Sequence, residues 1–191
     1  MQRIGLFGGT FDPVHLGHLL VAQAAREELS LARLVFIPTA QSPFKPERQP
    51  TPPNQRLALL RLALAGKDWS EVDEQEIRRG GVSYTIDTVL ACTARFPGAQ
   101  LFYLIGSDHV AQLPKWRAAE ELAKLVEFLV IPRPGQAEVP LPSPFRGSRL
   151  TGLPLGVSSS QIRQRVASGL PIDHLVPAAV AEEIRNNRLY L

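Results

Sequence analysis

The chain has 191 residues, 45% of them hydrophobic and 20% charged, with a formal net charge of +3 at pH 7. That balance gives a single domain over residues 1–191 with a real core, and it excludes a disordered chain. The lone Cys92 excludes an internal disulfide framework and a multi-cysteine metal site, so a reducing, cytoplasmic setting is expected. No run of about 18 apolar residues is present, and no membrane partner is expected. Met1–Phe7 is too short and too glycine-rich for a signal peptide. The mild positive charge suits anionic small substrates. The basic residues are scattered, which gives nucleic acid little support as a partner.

Residues 2–8 read as a short buried strand, followed by a helix from about His15 to Leu29 with Leu16, Leu20 and Ala24 on one face. Leu34–Ile37, closed by Pro38, is a second buried strand, and the pair with its helix makes a βαβ unit. The stretch 38–53 is a loop long enough to suspect function, with Lys45 near its middle. A helix follows over Asn54–Leu64, with Pro53 near its start. Val72–Ile77 alternates apolar and polar residues and predicts a half-exposed strand. Ser83 is read as the cap of a helix over Thr85–Phe96. Gln100–Ile105 is an apolar strand ending at Gly106, and a short helix near 118–124 leads to the strand Glu127–Ile131. The proline-rich connection 132–156 carries one short strand near Arg149. Helices over Ser158–Val166 and Pro177–Asn187 form a small C-terminal helical part, about 157–191. Strands alternating with helices predict a doubly wound α/β domain, a parallel sheet covered on both faces, with its ligand at the carboxyl ends of the strands.

The residues with chemistry fall at those strand ends. Gly8-Gly9 let the backbone approach a ligand closely, and Thr10 offers a hydroxyl and an N–H. His15 and His18, three apart at a helix start, share a face with unpaired N–H groups and the positive end of the helix dipole. That makes an anion site suited to a phosphate chain. Two histidines without a third ligand are weak support for a metal, and none is assigned. Val157-Ser158-Ser159-Ser160-Gln161-Ile162-Arg163 opens a second helix, whose serines can cap it and whose Arg163 can reach the same anion. His109 and His174 read as incidental, and Cys92 as a core residue.

The string Gly8-Gly9-Thr10-Phe11-Asp12-Pro13-Val14-His15-Leu16-Gly17-His18 resembles the signature of nucleotidyltransferases, a His-x-Gly-His element after a glycine-rich turn. Class I aminoacyl-tRNA synthetases share that element but are longer and carry a Lys-Met-Ser-Lys-Ser type motif, absent here. Three further stretches resemble the bacterial nicotinate-mononucleotide adenylyltransferases: Ser83-Tyr84-Thr85-Ile86-Asp87-Thr88, Ile105-Gly106-Ser107-Asp108 with Leu113-Pro114-Lys115-Trp116, and Ile131-Pro132-Arg133-Pro134-Gly135. Ser160 departs from that family, which commonly has Thr there. Phosphopantetheine adenylyltransferase often has a serine triplet, so a related adenylyl- or cytidylyltransferase stays open, as does a non-catalytic nucleotide-binding protein.

The resemblance implies a Rossmann-like fold and transfer of AMP from ATP to nicotinate mononucleotide, giving the deamido dinucleotide and pyrophosphate. It implies catalytic roles for His15, His18 and Arg163. ATP would be held by Gly8, Gly9, Thr10, Phe11, His15, His18, Lys45, Gly106, Asp108, Ser158, Ser159, Ile162 and Arg163. The mononucleotide would meet Thr10, Tyr84, Thr85, Trp116 and Arg133, with Trp116 offering a flat face to the pyridine ring. Mg²⁺ would ride mainly on the ATP phosphates. The attacking phosphate has a second pKa of about 6, so no general base is expected. A homo-oligomer is compatible with the sequence.

Overall fold

In the computed structural model, which describes residues 1–43, 49–133, 135, 139–152 and 155–191, six parallel strands form one sheet in the order β3-β2-β1-β4-β5-β6. The elements run β1 (Arg3–Gly9), α1 (Leu16–Leu29), β2 (Arg33–Pro38), α2 (Pro53–Leu64), β3 (Ser70–Val72), α3 (Gln75–Arg79), α4 (Thr85–Arg95) and β4 (Gln100–Gly106). They continue with a 3₁₀ segment (Ser107–Lys115), α5 (Ala119–Leu125), β5 (Glu127–Ile131), β6 (Gly147–Arg149), α6 (Ser159–Ala167) and α7 (Ala178–Asn186). The order reverses between β1 and β4, and the crevice at such a switch point is where a doubly wound sheet binds its ligand.

The strands are apolar because both faces are covered. Leu34, Phe36, Phe102, Leu104 and Leu129 enter one core, with α1, α2, α6 and α7 packed on it. Their alternating neighbours Ile4, Leu6, Val35, Ile37, Leu101, Tyr103, Ile105, Phe128 and Val130 enter the other, beneath α4 and α5. The period of two thus divides each strand between two cores. Among the described residues no helix is long and apolar enough to cross a membrane.

Two local expectations are corrected. Val72–Ile77 is not one strand. Glu71 and Val72 pair with Val35 and Phe36, and the strand stops because the Asp73 carboxylate accepts the Gln75 N–H at 2.9 Å and turns the chain into α3. Ser83 does not cap α4. Tyr84 occupies the cap position without a side-chain hydrogen bond, while Ser83 Oγ accepts the Ala40 N–H at 3.0 Å, across from the end of β2. The 3₁₀ segment 107–115 was not foreseen. The C-terminal helical part is present as α6 and α7.

Candidate active site

The carboxyl ends of β1 and β4 and the starts of α1, α4 and α6 surround an open cleft of about 1010 Å³. It straddles the sheet edge: α1 and α6 come from one face, and Tyr84, Tyr103 and Trp116 pack with the core of the other. Gly8 is required here, because a Cβ would lie 2.4 Å from the Tyr103 hydroxyl. At Gly106 a Cβ would displace the exposed Asp108 carboxylate, whose Oδ1 would lie 2.4 Å away.

At the start of α1 the His15 and His18 rings stack with centroids 3.7 Å apart. The His15 backbone N–H donates to His18 Nδ1 at 3.2 Å. That bond leaves Nε2 to carry the proton of the neutral His18 ring, so His18 is a fixed N–H donor. Burial holds His15 down at about 4. His18 is held well below its usual value, by burial first and then by His15 and Arg133. Both rings are neutral at pH 7, so each can offer an N–H without carrying charge.

Ser158 caps α6 as the sequence indicated: its Oγ accepts the Gln161 N–H at 3.3 Å, while Gln161 Oε1 accepts the Ser158 N–H at 2.9 Å. Ser159 Oγ donates to the Pro13 carbonyl at 2.9 Å, which docks α6 against the α1 turn. Arg163 Nη1 donates to the Asp12 carbonyl at 2.5 Å and Nη2 to Ser160 Oγ at 2.9 Å. Two helix starts and a guanidinium therefore converge on one end of the cleft, an arrangement that favours a polyanion.

The other end is aromatic. Trp116 meets Tyr103 and Phe128 edge-on, with centroids 6.3 and 6.2 Å away, and borders the cleft. Thr85 Oγ1 lies 3.5 Å from the Tyr103 hydroxyl, and the Arg117 guanidinium sits 4.7 Å above the Tyr84 ring. The first turn of α4, without a side-chain cap, opens beside these groups.

Of the residues singled out in the sequence, Gly8, Gly9, Thr10, Phe11, His15, His18, Tyr84, Thr85, Gly106, Trp116, Arg133, Ser158, Ser159 and Arg163 line this single cleft. Two do not. The Ile162 side chain is fully buried in the core, because its place in α6 turns it toward the sheet. Asp108 lies at the rim, where Arg133 Nε donates to its Oδ1 at 3.1 Å. Lys45 lies outside the described residues. His109, read as incidental, borders the cleft with Nε2 3.8 Å from Asp108. Cys92 is a core residue, its thiol pushed up to about 11 mainly by burial.

The sequence reading missed a buried polar frame under the cleft. Arg56 is 0% exposed and donates to the carbonyls of Thr51, Thr10 and Thr39 at 2.8, 2.8 and 2.9 Å. Burial lowers its guanidinium from the usual value, and Asp12 opposes that most strongly. The Asp12 carboxylate, also buried, accepts from the Tyr190 hydroxyl at 3.0 Å and the Thr51 N–H at 3.4 Å. A signal was present: Arg56 falls in step with Leu59, Leu60 and Ala63, on the apolar stripe of α2.

Fold and site together define a nucleotidyl-transferring enzyme, and the chain matches the cytidylyltransferase-like family model over residues 6–165. It is 42% identical to a protein of Opitutus terrae, with 99% of this chain and 98% of the relative covered, and 41% identical to one of Herpetosiphon aurantiacus, with both chains covered fully. Each of these is named "probable nicotinate-nucleotide adenylyltransferase". The chain belongs to the family of nicotinate-nucleotide adenylyltransferases. Its fold is shared with the Plasmodium falciparum nicotinic acid mononucleotide adenylyltransferase solved with NaAD, at a TM-score of 0.81 and 16% identity, covering 100% of this chain and 98% of that one.

Proposed function

We propose that this chain transfers the adenylyl group of ATP to nicotinate mononucleotide, forming nicotinate adenine dinucleotide and pyrophosphate, a step of NAD biosynthesis. The observation that carries the reading is the two-ended cleft, with neutral histidine donors and two helix starts at one end and an aromatic wall beside an uncapped helix at the other.

The mononucleotide phosphate is the nucleophile. It attacks the α-phosphorus of ATP, a new P–O bond forms, and the bond to the β-phosphate oxygen breaks as pyrophosphate leaves. The nucleophile is mostly ionised at neutral pH, so the chain supplies positioning and charge stabilisation rather than a base. His18 donates through Nε2 to a phosphate oxygen as charge develops, and His15 assists beside it. Arg163, Ser158 and Ser159 hold the pyrophosphate portion at the α6 start. Arg133 meets the mononucleotide phosphate, and Asp108 accepts from a ribose hydroxyl. In this structure the two are paired with each other, and they exchange that pair for substrate contacts. Thr85 and the first N–H groups of α4 bind the ring carboxylate, and the face of Trp116 stacks on the ring. A neutral amide uses such donors less well, which favours the acid.

Mg²⁺ enters this reading on the ATP phosphates. Among the described residues no three His, Cys, Asp or Glu side chains are grouped to hold a metal ion, and the phosphate end offers mainly donors. The ion, when bound, supplies charge neutralisation on the triphosphate.

The test is an acceptor panel with Mg²⁺ and ATP, read by pyrophosphate release. Nicotinate mononucleotide is expected to give the highest kcat/KM, ahead of nicotinamide mononucleotide and phosphopantetheine. Preference for either of those, or ATP binding without turnover on any acceptor, overturns the reading.

A further inference from the structure

Glu76 is a buried acid that the mechanism above leaves unused. It lies in α3, is 2% exposed, and borders the cleft at its aromatic end. Its Oε1 accepts from the hydroxyl of Thr88 at 2.6 Å, and Thr88, 0% exposed, sits in the first turn of α4. Arg79 Nη2 donates to that Thr88 oxygen at 3.3 Å. Burial raises the Glu76 carboxyl above its usual value, and the hydroxyls of Thr88 and Ser83 oppose that by favouring the ionised form. Ser83 in turn accepts the Ala40 N–H, and its own N–H donates to the Gln41 carbonyl at 2.9 Å. One carboxyl thus ties α3, the Ser83–Thr85 turn, the start of α4 and the end of β2 into one frame.

A buried carboxyl carries a desolvation cost, and an apolar side chain would fill the same space at lower cost. Its bond to Thr88 leads into the helix start that borders the cleft. That site depends on where α4 begins, because Tyr84 brings no side-chain cap and the first-turn N–H groups are left for another acceptor. We propose that Glu76 is a positioning residue for the acceptor: through Thr88 and Ser83 it fixes the Ser83–Thr85 turn and the first turn of α4, so that their donors face the ring substituent. This rests on the proposed function, since it takes that end of the cleft to be the acceptor end.

The test measures KM for nicotinate mononucleotide and for ATP separately in Glu76→Ala, Glu76→Gln and Ser83→Ala. Glu76→Ala is expected to raise the mononucleotide KM at least about fivefold while the ATP KM stays within about twofold, the split that loss of uniform acceptor binding gives. Glu76→Gln keeps an oxygen that accepts from Thr88 and is expected to restore at least half of the loss on a logarithmic scale. A smaller rise for Glu76→Ala, an equal rise in the ATP KM, or no rescue by Gln overturns the proposal. A side chain that merely supported the fold would lower the active fraction and leave both KM values alone. Should Glu76→Ala fail to fold, Ser83→Ala decides. It removes one hydroxyl and is expected to raise the mononucleotide KM alone by about threefold or more, and any smaller change overturns the proposal. If the wild-type panel selects another acceptor, the function reading fails by itself, and the same KM split is then measured with the selected acceptor.

Discussion

Replacing Arg56 by methionine removes the cation at the centre of the frame beneath the cleft and nearly preserves side-chain length. Three donor bonds at 2.8–2.9 Å are lost, together with the attraction between the guanidinium and Asp12. Hydrogen bonds to a charged group contribute roughly 1.5–3 kcal/mol each, so a bare sum gives about 5–9 kcal/mol. The sum overstates the loss, because Thr10 and Thr39 line the open cleft, where water can reach freed carbonyls. Leaving a buried acceptor unpaired costs about 1–3 kcal/mol, so with three carbonyls partly reached by water a loss of about 3–5 kcal/mol is expected. For a domain of this size each kcal/mol lowers Tm by about 2–4 °C, giving a drop on the order of 10 °C. Urea titration and thermal melts measure it directly. A loss below about 1 kcal/mol would refute the view that Arg56 carries the frame.

His18→Ala is expected to lower kcat by roughly a hundredfold with little change in either KM, because its contact strengthens as charge develops. Steady-state kinetics check this, and an unchanged kcat contradicts the role. Stability should fall as pH drops from about 6.5 toward 4: the unfolded chain takes up a proton at His15 near 6.5, while the folded chain refuses it until about 4. Integrated over that window the loss approaches about 3 kcal/mol, and His18 adds in the same direction. Urea midpoints across that pH range, compared with His15→Asn, measure it, and a flat wild-type profile refutes it.

Much of the architecture was legible because local pattern and final environment agree. The strands announced themselves as apolar runs, since both faces are covered, and the helices by their spacing and by Ser158 at the α6 cap. One exception was Val72–Ile77, where polar alternation looked like an exposed strand but the Asp73 carboxylate turns the chain. That misreading hid Glu76, which as part of a strand had no reason to stand under a cleft.

The residue types at each strand end, and with them the anion-favouring chemistry, were legible from local spacing, because glycines, helix starts and paired histidines act within a few residues of one another. Only the tertiary structure decided which distant groups meet. Arg56 with Thr10 and Thr39, Tyr190 with Asp12, Arg163 with the Asp12 carbonyl, and Glu76 with Thr88 are pairings set by the packing of α2, α3, α6 and the residues after α7. No period along the chain encodes them. Buried polar groups find partners wherever the fold brings donor and acceptor together, and that depends on how the two cores close over the sheet.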